Sequence, residues 1–271
     1  VNELSLFTGA GGGVLGTHLL GWTPIGYVEW DDYCQRVIAA RVRDGFLPAA
    51  PIFGDVREFA QSGAADQYRG FADVVTAGFP CQPFSVAGKQ QAADDSRNMW
   101  PATAEIIRRV QPRSVLLENV PGLISCGYLG TVLGDLAALG YVGRWGVLGA
   151  CDAGAPHQRD RLWIVAHAKS KSGDGRNDYA AIRMGTGSVS ESRDRSGAQD
   201  VAHADSAQRE GGGVPSGGGT QHADASLGGW WAPEPDVGRV ANGVANGMDR
   251  LKAIGNGQVS SVVRLAWEAL A

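Results

Sequence analysis

Cys81 lies in the run Gly78-Phe79-Pro80-Cys81-Gln82-Pro83-Phe84-Ser85, with one proline directly before it and another two residues on. The prolines stiffen the loop that follows an apolar strand, which places the thiol at the mouth of a sheet as a nucleophile would be placed. The ordinary fate of a lone cysteine is to fill a small apolar space, and Cys34, Cys126 and Cys151 fit that description better. A carboxylate closes the next apolar run, in Leu117-Glu118-Asn119-Val120-Pro121. Glu118 is either an acid beside the thiol or a helix cap or surface acid. A third group is the turn Phe7-Thr8-Gly9-Ala10-Gly11-Gly12-Gly13, between a strand and a helix. Its glycines let backbone N–H groups approach a ligand, and the helix start favours negative charge; the alternative is a tight turn with no ligand. The next strand ends in Glu29-Trp30-Asp31, where a carboxylate accepts hydrogen bonds from ribose hydroxyls. Nicotinamide cofactors and S-adenosylmethionine both carry adenosine, so this pair of features admits either.

The elements that must position these groups alternate. Short apolar runs predict strands at Glu3 to Phe7, Ile25 to Glu29, Ile52 to Phe53, Val74 to Ala77, Val115 to Glu118, Tyr141 to Leu148 and Leu162 to Ala166. Helical spacing covers Gly13 to Leu20, Asp31 to Arg43 with Asp31 as N-cap, Asn98 to Val110, Leu129 to Leu139 and, after a Gly255-Asn256-Gly257 turn, Val259 to Leu270. Such alternation implies an α/β fold with a mostly parallel, doubly wound sheet, whose ligands sit outside the carboxyl ends of the strands.

Between Lys169 and Met248 the composition changes. This stretch holds 16 glycines in 80 residues and few large apolar side chains, too few to offset the entropy of ordering it. Three boundaries follow: a domain over 1–168, an irregular region over 169–248, and a return to the domain over 249–271. Across all 271 residues there are 24 basic and 28 acidic residues, a formal charge of −4, which argues against non-specific avidity for nucleic acid without excluding a basic cleft. The four cysteines form no Cys-x-x-Cys pair or Cys/His quartet, so no metal site or disulfide framework is expected. There is no apolar run long enough to span a membrane and no basic segment ahead of one at the start, so a soluble cytoplasmic protein is expected.

Taken in order, Phe7-x-Gly-x-Gly-Gly, Glu29-Trp30-Asp31, Gly54-Asp55-Val56, the Cys81 loop, Asp95-Ser96-Arg97, Glu118-Asn119-Val120, Gln158-Arg159-Asp160-Arg161 and Gly255-Asn256 strongly resemble the DNA (cytosine-5)-methyltransferases. The resemblance covers 1–168 and about 249–271. It implies a Rossmann-like, S-adenosylmethionine-dependent fold with a small irregular target-recognition region. It also implies methyl transfer to C5 of cytosine in double-stranded DNA, with the base flipped out of the helix, and S-adenosylhomocysteine as product. By resemblance the catalytic set is Cys81, which attacks C6, Glu118, Arg159 and Arg161. Phe7, Thr8, Gly9, Gly11, Gly12, Glu29, Trp30, Asp55, Val56, Pro80, Trp100 and Asn256 surround the cofactor. Gln82, Ser85 and Arg97 meet DNA. Arg161 holds O2 of the flipped base and Arg159 supports the loop and a nearby phosphate. The expected state is a monomer, with a cognate restriction endonuclease as a candidate partner.

Three departures stand out: Thr8 in the glycine turn, the continuation Gly257-Gln258 after Gly255-Asn256, and the slightly acidic middle region, with 8 basic against 10 acidic residues. That region loosely resembles the minimal recognition regions of methyltransferases from phages and other mobile elements. Two other functions compete: a tRNA cytosine-5 methyltransferase, and a non-catalytic, cofactor-bound DNA-binding homologue. The loop after Cys81 favours DNA. The set Cys81, Glu118, Arg159 and Arg161 disfavours an inert copy.

Overall fold

The computed structural model describes residues 1–80, 98–169 and 247–271. All of them fall in one compact unit, to which the C-terminal stretch returns. Cys81, Gln82, Ser85 and Arg97 lie outside the described residues, as does the expected recognition region apart from its first and last few positions.

Seven strands form one sheet: β1 (Asn2–Leu6), β2 (Thr23–Val28), β3 (Ile52–Phe53), β4 (Val74–Gly78), β5 (Ser114–Asn119), β6 (Tyr141–Leu148) and β7 (Arg161–Ala168). Their order is β3-β2-β1-β4-β5-β7-β6. The pairs from β3 across to β5 are parallel, whereas β7 runs antiparallel to both β5 and β6. The helices are α1 (Gly12–His18), α2 (Asp32–Arg43), α3 (Val56–Gln61), α4 (Trp100–Val110), α5 (Gly122–Ser125), α6 (Tyr128–Ala138), α7 (Gly247–Asn256) and α8 (Ser260–Leu270). The Asp31 carboxylate caps α2 as expected, accepting from the N–H groups of Tyr33 and Cys34. All seven anticipated strands are present.

The central strands read as unbroken apolar runs because both faces are covered. Successive residues point to opposite sides. Val75 and Leu117 join the layer with Trp100, Ile106, Leu123 and Leu136. Their neighbours Val74 and Leu116 pack with Trp22, Trp163, Val262 and Val263, so α8 completes the second layer. Gly16 makes this close: a Cβ there would lie 2.5 Å from both the Ser260 carbonyl oxygen and the Val263 Cβ.

Four readings need correction. The short α3, α5 and α7 were not anticipated. Gly255 and Asn256 close α7, so the chain turns only at Gly257. Of the three cysteines expected to fill apolar space, Cys34 is buried on the inner face of α2, but Cys126 and Cys151 are exposed, the first after the short α5 and the second in a surface 3-10 turn. Trp100, expected at a cofactor, is a core residue: 1 % exposed, its indole N–H on Asp135 at 2.8 Å and its ring on Phe79. No described helix is long and apolar enough to cross a membrane.

Candidate active site

Strand order reverses at β1. The chain proceeds from β1 to β2 and β3 on one side, then crosses to β4 and β5 on the other. A crevice opens at the carboxyl ends of β1 and β4, the place where doubly wound sheets bind ligands. The glycine turn, Glu29, the base of the Cys81 loop and Glu118 all emerge there.

At the end of β1 the backbone is strained. Phe7 has φ 54°, a conformation rare for a side chain of its size, followed by Gly9 at φ 58° and Gly11 at φ 90°. A Cβ at Gly9 would meet nothing within 4 Å, so the turn faces open space. Glu29 shapes it: one carboxylate oxygen accepts the Gly9 N–H at 2.6 Å and the other the Asp31 N–H at 2.8 Å. Thr8 turns inward, donating its hydroxyl to the Ser5 carbonyl at 3.1 Å, so its side chain braces the turn and only its backbone faces the crevice. Trp30 is 71 % exposed, a free aromatic face beside Glu29. Asp55 caps α3 and binds Arg57 at 2.6 Å, which holds its carboxyl below the usual range. The Val56 side chain is buried in the core, leaving only its backbone for a ligand. Pro80 and Asn256 are exposed. The bare turn, the carboxylate behind it and the open aromatic face suit an adenosine-bearing cofactor.

The second cluster surrounds Glu118. Its side chain is 13 % exposed and its Oε1 accepts from Arg161 Nε at 3.0 Å. Oε2 accepts from the Gln258 amide at 3.3 Å. Burial pushes the Glu118 pKa up, against the pull of Gln258, Arg161 and Arg159. The carboxyl can therefore carry a proton and still tolerate losing it. Arg159, at φ 49°, directs Nη2 to the carbonyls of Gly255 and Gly257, both at 2.6 Å. It thus ties the loop before β7 to the C-terminal end of α7 and the turn that follows. In the β4–β5 register Gly78 stands opposite Glu118, three residues before Cys81. Asn119 ties the two ends by donating to the Phe79 carbonyl at 3.1 Å.

Gln258, Ser260 and Asn119 are the site residues that sequence reasoning missed. Ser260 donates to the Gly12 carbonyl at 2.7 Å and fastens the glycine turn to α8. The unusual Gly257-Gln258 continuation was the one signal that pointed to Gln258.

Sheet order and the strained glycine turn at the strand-order reversal define a Rossmann-like, doubly wound α/β fold. Within that class, the family model for C-5 cytosine-specific DNA methylase matches residues 1–202, and the chain belongs to that family. It is 39 % identical over 166 residues to the type II methyltransferase M.NgoBI of Neisseria gonorrhoeae, covering 60 % of this chain and 49 % of that protein. With M.HpaII of Haemophilus parainfluenzae it shares 37 % over 174 residues, 62 % of this chain and 46 % of the relative. The chain thus spans about half the length of the relatives it matches. Among solved structures, the S. pombe Dnmt2 methyltransferase aligns with TM-score 0.51 at 20 % identity, over 64 % of this chain and 52 % of that one. A putative DNA modification methyltransferase of an E. coli prophage aligns with TM-score 0.50 at 24 % identity, over 62 % and 47 %. Both share the fold.

Proposed function

We propose that the protein methylates C5 of cytosine in double-stranded DNA with S-adenosylmethionine as donor. The observation that carries the reading is Glu118, a buried acid braced by Arg161 and placed opposite Gly78 at the root of the Cys81 loop. Phe7, the backbone of Thr8 to Gly12, Glu29, Trp30, Asp55, the Val56 backbone, Pro80 and Asn256 hold the cofactor, with Glu29 toward the ribose and Trp30 toward the adenine. Bound there, it supplies an electrophilic methyl group on sulfur.

The chain's own residues do the rest. Cytosine C6 resists attack until the ring becomes electron-poor, and Glu118 brings this about by giving its proton to N3 as the Cys81 thiolate adds to C6. Arg161 donates to O2 of the base, a planar geometry that lysine cannot copy. The addition moves electron density to C5, which takes the methyl. A water molecule takes the C5 proton, the C5–H electron pair re-forms the C5=C6 double bond and expels Cys81 as thiolate, and the proton on N3 returns to Glu118. The base must leave the duplex stack for this, and Gln82, Ser85 and Arg97 contact the DNA around it. Residues 169–248 choose the sequence. The protein acts as a cytoplasmic monomer, and a cognate restriction endonuclease reading the same site is its candidate partner.

Nucleoside analysis of treated duplex DNA tests this. The expected product is 5-methylcytosine. N4-methylcytosine, N6-methyladenine, or methylation of RNA alone would overturn the reading.

A further inference from the structure

Gln258 occupies the turn between α7 and α8 and reaches two loops at once. Its Nε2 donates to Glu118 Oε2 at 3.3 Å. Its side chain also lines a small polar cavity with Ser5, Thr8, Thr17, Thr76 and Gly78. Three glycines leave the space it fills. A Cβ on Gly78 would stand 2.7 Å from Nε2, and one on Gly12 would stand 2.6 Å from the Gln258 carbonyl oxygen. A Cβ on Gly13 would collide with Oε1 of the same side chain. The residue is therefore clasped between the cofactor turn after β1 and the acid at the end of β5.

The chemistry of the amide separates it from the arginines. A guanidinium only donates, so Arg161 on Oε1 favours the anion of Glu118 in every state. A primary amide both donates and accepts. It can give N–H to a carboxylate oxygen and, turned half a revolution about its last bond, accept from the protonated acid. Arg159 cannot take this place, because its Nη2 is spent on the Gly255 and Gly257 carbonyls.

We propose that Gln258 is the positioning residue of Glu118, holding its carboxyl in one orientation through both protonation states and tying it to the glycine turn. This rests on the reading of Glu118 as the acid that serves N3. Among the described residues, the charged groups acting on Glu118 are Arg161, from β7, and Arg159, from the loop before it; β4 presents the uncharged Gly78. Removing the amide leaves burial opposed by the two arginines alone. The N–H that Gln258 gives the carboxylate is charge-assisted and outweighs the bond it can accept from the neutral acid, so its loss raises the Glu118 midpoint and extends upward the pH window in which the acid is protonated.

The test is a carbon-13 carboxyl NMR titration of the full-length protein, with Glu118→Gln assigning the signal. Gln258→Met keeps the length and removes the hydrogen bonding. We expect the Glu118 midpoint to move up by about one pH unit. The alkaline limb of kcat should move with it, and kcat should fall about tenfold while KM for S-adenosylmethionine changes less. Gln258→Asn, which shortens the side chain by one methylene and so withdraws the amide from Glu118 without adding bulk beside the carboxyl, is the second variant and should move the midpoint the same way. An unchanged midpoint in both variants overturns the proposal. A shifted midpoint in a protein whose wild type transfers no methyl group overturns the acid role of Glu118 and leaves its positioning by Gln258 supported.

Discussion

Glu3 and Glu118 are both acids set in the sheet, and their surroundings differ in kind. Glu3, on β1, is fully buried and meets only neutral donors: the Thr17 hydroxyl at 2.5 Å and the Thr76 hydroxyl at 2.6 Å. Burial dominates there and pushes its pKa to about 7. Glu118, on β5, is also pushed up by burial but faces a guanidinium and an amide. Hydroxyls can rotate to serve a neutral acid, so the protonated form of Glu3 keeps both of its partners with no cation beside it. The arginine beside Glu118 makes its anion tolerable, so the proton can leave and return. Depth alone thus makes an acid weak, and a nearby cation makes it usable.

The sharpest way to break this contrast is to neutralise each acid in turn. Glu118→Gln keeps the shape but has no proton to give N3, and turnover should fall by about 10²- to 10⁴-fold. The glycine cradle does not depend on that residue, so S-adenosylmethionine affinity by calorimetry should stay near wild type. Glu3→Gln should leave methyl transfer close to normal. An active Glu118→Gln protein would show that burial and arginine contact do not mark the acid.

The strands were legible because runs such as Val74-Val75-Thr76-Ala77 are bounded by turn-forming residues on both sides, and the strand-end acids followed from them. The helix α3 hid because Val56–Gln61 is barely two turns long, and α7 because glycines stand at 247 and 255, where propensity argues against helix. Motif order located Glu118 and Arg161. It could not find Gln258, whose contact with Glu118 spans 140 residues of chain. Nor could it tell that Trp100, at the first turn of α4, faces Asp135 and the core. The exposure of Cys126 and Cys151 depends on which short turns reach the surface, and no periodicity reports that.

A second prediction turns the contrast into a pH profile of stability. The Glu3 pKa rises on folding from 4.5 to about 7, so the protonated form is favoured in the fold. Its contribution to stability is fully present below 4.5, declines as pH rises toward 7 and is gone above it. The shift corresponds to about 3 kcal/mol between these limits. Glu3→Gln, whose amide the two threonine hydroxyls can still serve, should remove that slope and be the more stable protein at pH 8. Urea denaturation at pH 5 and pH 8 measures it. A wild type whose stability is flat across this range would mean that the carboxylate finds stronger support than two hydroxyls.

The smallest effect belongs to a third carboxyl, Asp31, and its sign is opposite. Asp31 sits at the surface, caps α2 and binds Lys252 of α7 at 2.7 Å. The Lys252 ammonium and the N–H groups of Cys34 and Tyr33 hold its pKa below the ordinary value. A lowered value means that its contribution is present above the unfolded pKa and lost as pH falls through the folded one. Two substitutions separate cap from charge. Asp31→Ala removes the acceptor and should cost about 1 kcal/mol at pH 7. Asp31→Asn keeps an acceptor for the helix N–H groups and gives up the ion pair, which solvent and salt screen. Its melting temperature should stay within about a degree or two of wild type, and what difference there is should shrink as salt is added. If Asp31→Asn instead matched the loss of Asp31→Ala, the Lys252 pair would be holding α7 to α2, and a surface contact would rank with the buried acids.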